Sequence, residues 1–209
     1  MRFSVSGRVL LVSASILAGA TGWAQQSYKP AAAFSTDLAV TYSAERSRVV
    51  SGDNFWFKGG GADAAVTFWK GLGLAAALNG DHAGNVQSGV NVNKLSYLAG
   101  PRVTYTAWRA ADGPRRLQVF GQGLVGGTHG FDGLYPDGAA VKSSANSLAV
   151  QAGGGLNYYF SKHWGARLIE ADYVRTELPN ATDGVQNDFR LAAGITYHLH
   201  SAPPTPRAR

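Results

Sequence analysis

Cysteine is missing from the 209 residues, methionine occurs once, and charged residues make up only 15% of the chain. Soluble globular domains average about 25% charged residues. Without cysteine there is neither a disulfide framework nor a thiolate metal site. Long apolar runs are also missing beyond the N-terminal segment, which rules out a helical membrane protein, since a spanning helix needs about 20 apolar residues. The one apolar stretch, residues 9–18, follows Arg2 and Arg8 and precedes a small-residue region ending at Ala24. Charged start, short apolar run and small-residue end are the three parts of a cleavable export signal, expected at residues 1–24. The formal net charge is +6. Without Arg2 and Arg8 it is 17 − 13 = +4, mild and dispersed, so no nucleic-acid partner is expected. An exported chain poor in charge and lacking a spanning helix points to strands that face lipid.

What the chain does have is glycine, 27 residues of it, and repeated alternation. In residues 189–199, Phe189, Leu191, Ala193, Ile195, Tyr197 and Leu199 share one face, with Arg190, Ala192, Gly194, Thr196 and His198 on the other. Strand side chains alternate between faces, and eleven residues suffice to cross a bilayer at a barrel's tilt. Residues 148–160 behave alike, with Leu148, Val150, Leu156 and Phe160 opposed by Gln151, Asn157 and Tyr159. In residues 96–105, Tyr97, Pro101, Val103 and Tyr105 oppose Ser96, Arg102 and Thr104. Ile169, Ala171 and Tyr173 oppose Leu168, Glu170 and Asp172. Weaker alternation places Leu38, Val40 and Tyr42 together, then Ala62, Ala64, Val66 and Phe68 opposite Asp63, then Leu72, Leu74, Ala76 and Leu78. Residues 117–125 form the least regular segment, with Gln118, Phe120 and Gln122 on one side. Eight segments predict an all-β fold: an eight-stranded antiparallel transmembrane β-barrel with up-and-down topology.

Long polar connections are expected at 44–60, 80–94, 126–146 and 177–187, and tight ones at 70–71 and 161–164, with 110–115 between. Long loops outside and short turns in the periplasm are the outer-membrane pattern. Phe68, Trp69, Trp108, Phe160 and Trp164 lie toward the turn end, and Tyr42, Tyr97, Tyr173 and Phe189 toward the loop end, as two aromatic girdles require. A soluble barrel would turn the greasy face inward and carry interspersed Lys and Glu on every strand. The second face here carries mainly small and neutral polar residues, which suit the cramped lumen of an eight-stranded barrel. The greasy face then meets lipid. The expected organisation is a signal at 1–24, a periplasmic leader at 25–35, the barrel at 36–200 and a nine-residue disordered tail at 201–209.

The stretch GGGLNYYFSKHWGARLIEADYVRT (residues 153–176), the closing LAAGITYHL (191–199) and YLAGPRVTY (97–105) resemble the outer-membrane β-barrel domain family. These are small barrels akin to the membrane domain of OmpA and to opacity-type porin-like proteins. The resemblance covers most of the mature chain. It implies the fold, residence in the outer membrane and insertion by the barrel-assembly machinery, and it brings no shared catalytic motif. Two features depart from the pattern. The last strand ends Tyr197, His198, Leu199, His200 rather than on a terminal aromatic, and no peptidoglycan-binding domain is expected after it.

The charges of the small-residue face are the candidate site: Arg102, Glu170, Asp172 and Arg190, with Asp63. A charge in a narrow lumen is costly unless paired. Arg190 is expected to pair with Glu170 or Asp172 on the neighbouring strand, as a structural plug in preference to a gated ion path. No catalytic set is expected, because none of the five histidines has a Ser and carboxylate at a familiar spacing, and neither a metal nor a cofactor is expected. His198 and His200 share a face, too few ligands for a metal site. Gly59–Gly61 and Gly153–Gly155 lack the Lys-Ser/Thr of a phosphate loop and read as close-packing positions. The expected function is structural, in envelope integrity or adhesion, with a porin-like channel as the alternative and a lipid-modifying enzyme behind both. A monomer in contact with outer-membrane lipid and lipopolysaccharide is expected.

Overall fold

The computed structural model describes residues 34–48, 54–87, 90–137, 140–179 and 184–200. The export signal, the leader before Phe34 and the tail from 201 lie outside the described residues. Eight strands follow in order: β1 (Ser35–Arg48), β2 (Asn54–Trp69), β3 (Leu72–Gln87), β4 (Val90–Arg109), β5 (Arg116–Asp137), β6 (Ala140–Tyr159), β7 (Trp164–Thr176) and β8 (Gln186–His200). Each pairs antiparallel with its neighbours in sequence, and β8 closes on β1, so the barrel has no free edge. Strand β1 opens one residue before the expected start at 36.

Most large apolar residues face outward, although Leu98 and Leu124 form a small apolar cluster inside with Ala65, Ala75 and Ala149. Val40, Tyr42, Leu74, Val103, Tyr105, Val125 and Ile195 are all exposed, whereas Ser43, Gln151, Asp172 and Thr196 are buried inside. A barrel with its apolar side chains outside and its polar ones within is built for lipid. Both aromatic levels are present on the outer wall, with Trp69, Trp108, Phe160 and Trp164 at the turn end and Tyr42, Tyr97, Tyr173 and Phe189 at the other. The 70–71 connection is a two-residue hairpin. Lys70 (φ 45°) and Gly71 (φ 91°) both take positive φ, the signature of a type I′ turn, whose twist matches that of the strands it joins.

The long polar connections are a correction. Most of 44–60, 80–94 and 126–146 is strand, while the described residues 177–179 and 184–185 of the fourth connection lie outside strand. Strands of 20, 22 and 20 residues in β4, β5 and β6 run well past the 9–11 or so needed to cross a bilayer. Past the lipid the outer face of a strand meets water while the inner face stays packed with polar residues such as Glu45, Asp81 and Lys94, so the apolar alternation fades while the ladder continues. Outward polar pairs line this extension: His82 Nδ1 to Asn93 Oδ1 at 2.7 Å, and His129 Nδ1 to Asn146 Oδ1 at 2.7 Å. His82 and His129 are therefore strand residues, not loop residues.

A second correction lies in β7. Leu168 was expected on the lumen face, yet Leu168 and Ile169 are both exposed. The register against β8 slips between Arg167 and Glu170, where two residues, Leu168 and Ile169, oppose one, Ala193. This bulge inverts parity, so Arg167 turns into the lumen although it shares odd numbering with the lipid-facing Ile169.

Candidate functional site in the barrel lumen

Glycines make room for the interior. A Cβ at Gly61 would lie 2.3 Å from Asn79 Oδ1 and 3.3 Å from Arg190 Nη2, and one at Gly153 would lie 2.4 Å from Asp172 Oδ1. The glycine run at 153–155 is thus a close-packing device beside the charges.

The four candidate residues are all buried and inward, and a fifth, Arg167, stands at their centre with 1% exposure. Arg102 on β4 donates to Asp63 Oδ1 on β2 at 2.8 Å, and its Nε donates to Gln122 Oε1 at 3.0 Å. Arg167 on β7 reaches across to the same Asp63 (Nη1 to Oδ2, 2.6 Å) and to Glu170 (Nη1 to Oε2, 2.6 Å), while its Nε donates to Asn157 at 3.1 Å. Gln122 closes the circle by donating to Glu170 Oε1 at 3.1 Å. Arg190 Nη1 lies 3.2 Å from Asp172 and 3.6 Å from Glu170, and its Nη2 donates to Asn79 on β3 at 3.2 Å. Three guanidinium groups thus meet three carboxylates, Asp63, Glu170 and Asp172. Phe120 supplies the apolar floor, its ring centre 4.5 Å from Arg102 and 4.7 Å from Arg167.

This layer has neighbours above and below. Asn79 donates to Gln151 on β6 at 3.3 Å. Beyond it Lys94 on β4 pairs with Glu45 on β1, next to Asp81, which accepts from Ser43 at 3.2 Å. At the periplasmic end Asp37 on β1 accepts from Tyr159 on β6 at 2.8 Å and lies 2.6 Å from His198 Nδ1 on β8, with Arg116 stacked 4.0 Å from the Tyr159 ring centre. The bonds Asp63–Arg167, Asn79–Gln151, Glu45–Lys94 and Asp37–Tyr159 each join strands three apart around an eight-stranded wall, so they span the bore. Among the described residues no group of three or more His, Cys, Asp or Glu is arranged to hold a metal ion.

Several of these partners were hidden in the sequence. Glu45, Asp81 and Lys94 fell in stretches read as loops. Arg167 fell on the lipid-facing parity, and its signal was that an arginine there is untenable while Leu168-Ile169 supplies two adjacent apolar residues, a bulge signature. The Asp37–His198 contact joins the first and last strands and had no local trace.

The fold is that of the small outer-membrane β-barrels. Ail, the attachment invasion locus protein of Yersinia pestis, in its complex with the heparin analogue sucrose octasulfate, superposes with a TM-score of 0.52 at 16% identity, covering 79% of this chain and 99% of that one. Neisserial surface protein A matches with a TM-score of 0.45 at 13% identity, covering 79% of this chain and 97% of that one. OprG of Pseudomonas aeruginosa matches with a TM-score of 0.44 at 11% identity, covering 82% and 98%. No protein-family model and no curated protein matches the sequence. The chain is an eight-stranded transmembrane barrel of the outer-membrane type.

Proposed function

We propose that this barrel is a closed, non-conducting scaffold of the outer membrane that serves envelope integrity or adhesion through its strand-built outer rim. The observation that carries it is the stack of side-chain bonds crossing the bore at successive levels, centred on Asp63–Arg167. An eight-stranded barrel has an interior that side chains just fill, and here they are bonded to one another across it. Strands β4 to β6 lift the rim beyond the lipid as paired sheet, which presents residues to the exterior on a rigid wall. The likeness to Ail supports an adhesive role only through the shared fold. No reaction is assigned to the chain. Its partners are outer-membrane lipid and lipopolysaccharide, with the barrel-assembly machinery during insertion, and it acts as a monomer.

Single-channel recording in planar bilayers tests the closed lumen. The account expects no steady conductance from the wild-type barrel, and expects deletion of the gene to sensitise the envelope or reduce attachment. Reproducible ion-selective openings of the unmodified protein would establish the porin-like alternative instead.

A further inference from the structure

On the outer wall the apolar belt gives way to charge and amides where β7, β8 and β1 leave the lipid, and on β2 it is interrupted by Lys58 before Trp56, which stands opposite Arg46. Ala171 and Tyr173 give way to Arg175, Leu191 and Phe189 to Asn187, Tyr42 and Ala44 to Arg46, and Ala62 and Gly60 to Lys58. The register sets Arg46 opposite Phe189, Phe189 opposite Tyr173, and Arg175 opposite Asn187, so these side chains form one patch across three strands. Within it lies a depression of about 400 Å³ lined by Arg46, Asn54, Tyr173, Gln186, Asn187 and Phe189. Asp188 belongs to the same wall, but it is buried. Arg175 has an acidic neighbour in Glu177 at 4.0 Å, both half exposed.

We propose that this seam binds the phosphorylated sugar headgroup of an anionic outer-leaflet glycolipid. The inference rests on the outer-membrane reading and specifies one of its lipid contacts. Two arginines at the end of an apolar belt stand where lipid phosphates lie, and guanidinium recognises phosphate through paired hydrogen bonds. The Tyr173 and Phe189 rings offer apolar faces to a sugar ring, and with Asn187 Oδ1 accepting from the Tyr173 hydroxyl the Asn187 side-chain NH2 is left to meet a sugar hydroxyl. A glycerophospholipid headgroup would use the charges and leave the aromatic–amide depression unmatched.

The test titrates the folded barrel in detergent with bis-phosphorylated lipid A, dephosphorylated lipid A and inorganic phosphate, read by native mass spectrometry. Wild type is compared with Arg46→Gln/Arg175→Gln and with Arg109→Gln/Arg115→Gln at the opposite end. Two partly exposed charged contacts imply about tenfold weaker retention of bis-phosphorylated lipid A by the first variant and no change in the second. Equal retention by all three proteins would overturn the proposal, as would retention indifferent to the phosphates. Displacement by inorganic phosphate at equal concentration would reassign the site to the free anion. Heat-modifiable gel mobility is recorded for each protein: a wild type that never inserts refutes the outer-membrane reading, whereas an inserted barrel whose binding ignores Arg46 and Arg175 refutes only this site.

Discussion

Arg167→Met is the most informative perturbation of the lumen. Methionine keeps much of the arginine's length and apolar stem while deleting its charge. In the wild type, Arg167 contacts Asp63 and Glu170 at 2.6 Å each and Asn157 at 3.1 Å, with its side chain fully shielded. Removing it leaves Asp63 with Arg102 and Glu170 with Arg190, so the three carboxylates face two cations. One ion pair with charge centres about 4 Å apart is worth about 4 kcal/mol at an effective dielectric near 20. Breaking a buried pair by deleting one partner costs about 3–5 kcal/mol, because the other charge stays buried. Each carboxylate here retains a second cation, so the lower end of that range, about 3 kcal/mol, is expected. The assay is reversible urea unfolding in lipid vesicles, followed by tryptophan fluorescence. Asp63→Asn is expected to cost a similar amount, and the double variant less than the sum, since removing both partners strands no charge. A loss below about 1 kcal/mol for Arg167→Met, within the range of exposed ion pairs, would refute the claim that this layer is dry and bonded.

Other outcomes follow from the same geometry. Ala193→Arg, on the lipid face near mid-membrane, should cost about 2–4 kcal/mol in the same assay, and an arginine near either interface about 0–1. Deleting Leu168 removes the extra residue of the bulge and leaves Arg167 inward in regular alternation, so the barrel should still refold, whereas deleting Leu168 and Ile169 together turns Arg167 toward lipid and should impair refolding far more; equal yields from the two would contradict the bulge assignment. Gly61→Val should displace Asn79 and Arg190, whose atoms occupy that space, and lower the urea midpoint, whereas a surface Gly113→Val, with nothing within 4 Å, should leave it unchanged.

The barrel was legible because lipid imposes one rule on every strand that crosses it. Residues 189–199 and 148–160 alternate without a break, and each gives its strand's two faces correctly. The rule lapses where lipid ends, which is why Lys58, His82 and His129 read as loop residues although they sit in paired strand. Parity also located Arg102, Glu170, Asp172 and Arg190 on the inner face, but it misplaced Arg167, since a bulge changes the count of residues between faces. Partners across the bore, such as Asp37 with Tyr159 or Asn79 with Gln151, depend on barrel closure and shear, which no local pattern encodes.

The state of the lumen is most directly read from the arginine Nε–H resonances of the folded barrel in micelles, at mildly alkaline pH where exposed guanidinium protons exchange away. Arg102 Nε donates to Gln122 at 3.0 Å and Arg167 Nε to Asn157 at 3.1 Å, whereas Arg190 Nε has no partner among the described residues. A closed, bonded lumen predicts persistent signals from Arg102 and Arg167, each lost in its Arg→Lys variant. A spectrum in which both exchange as fast as the exposed Arg46 would mean that water fills the bore and that the bonds across it do not close it.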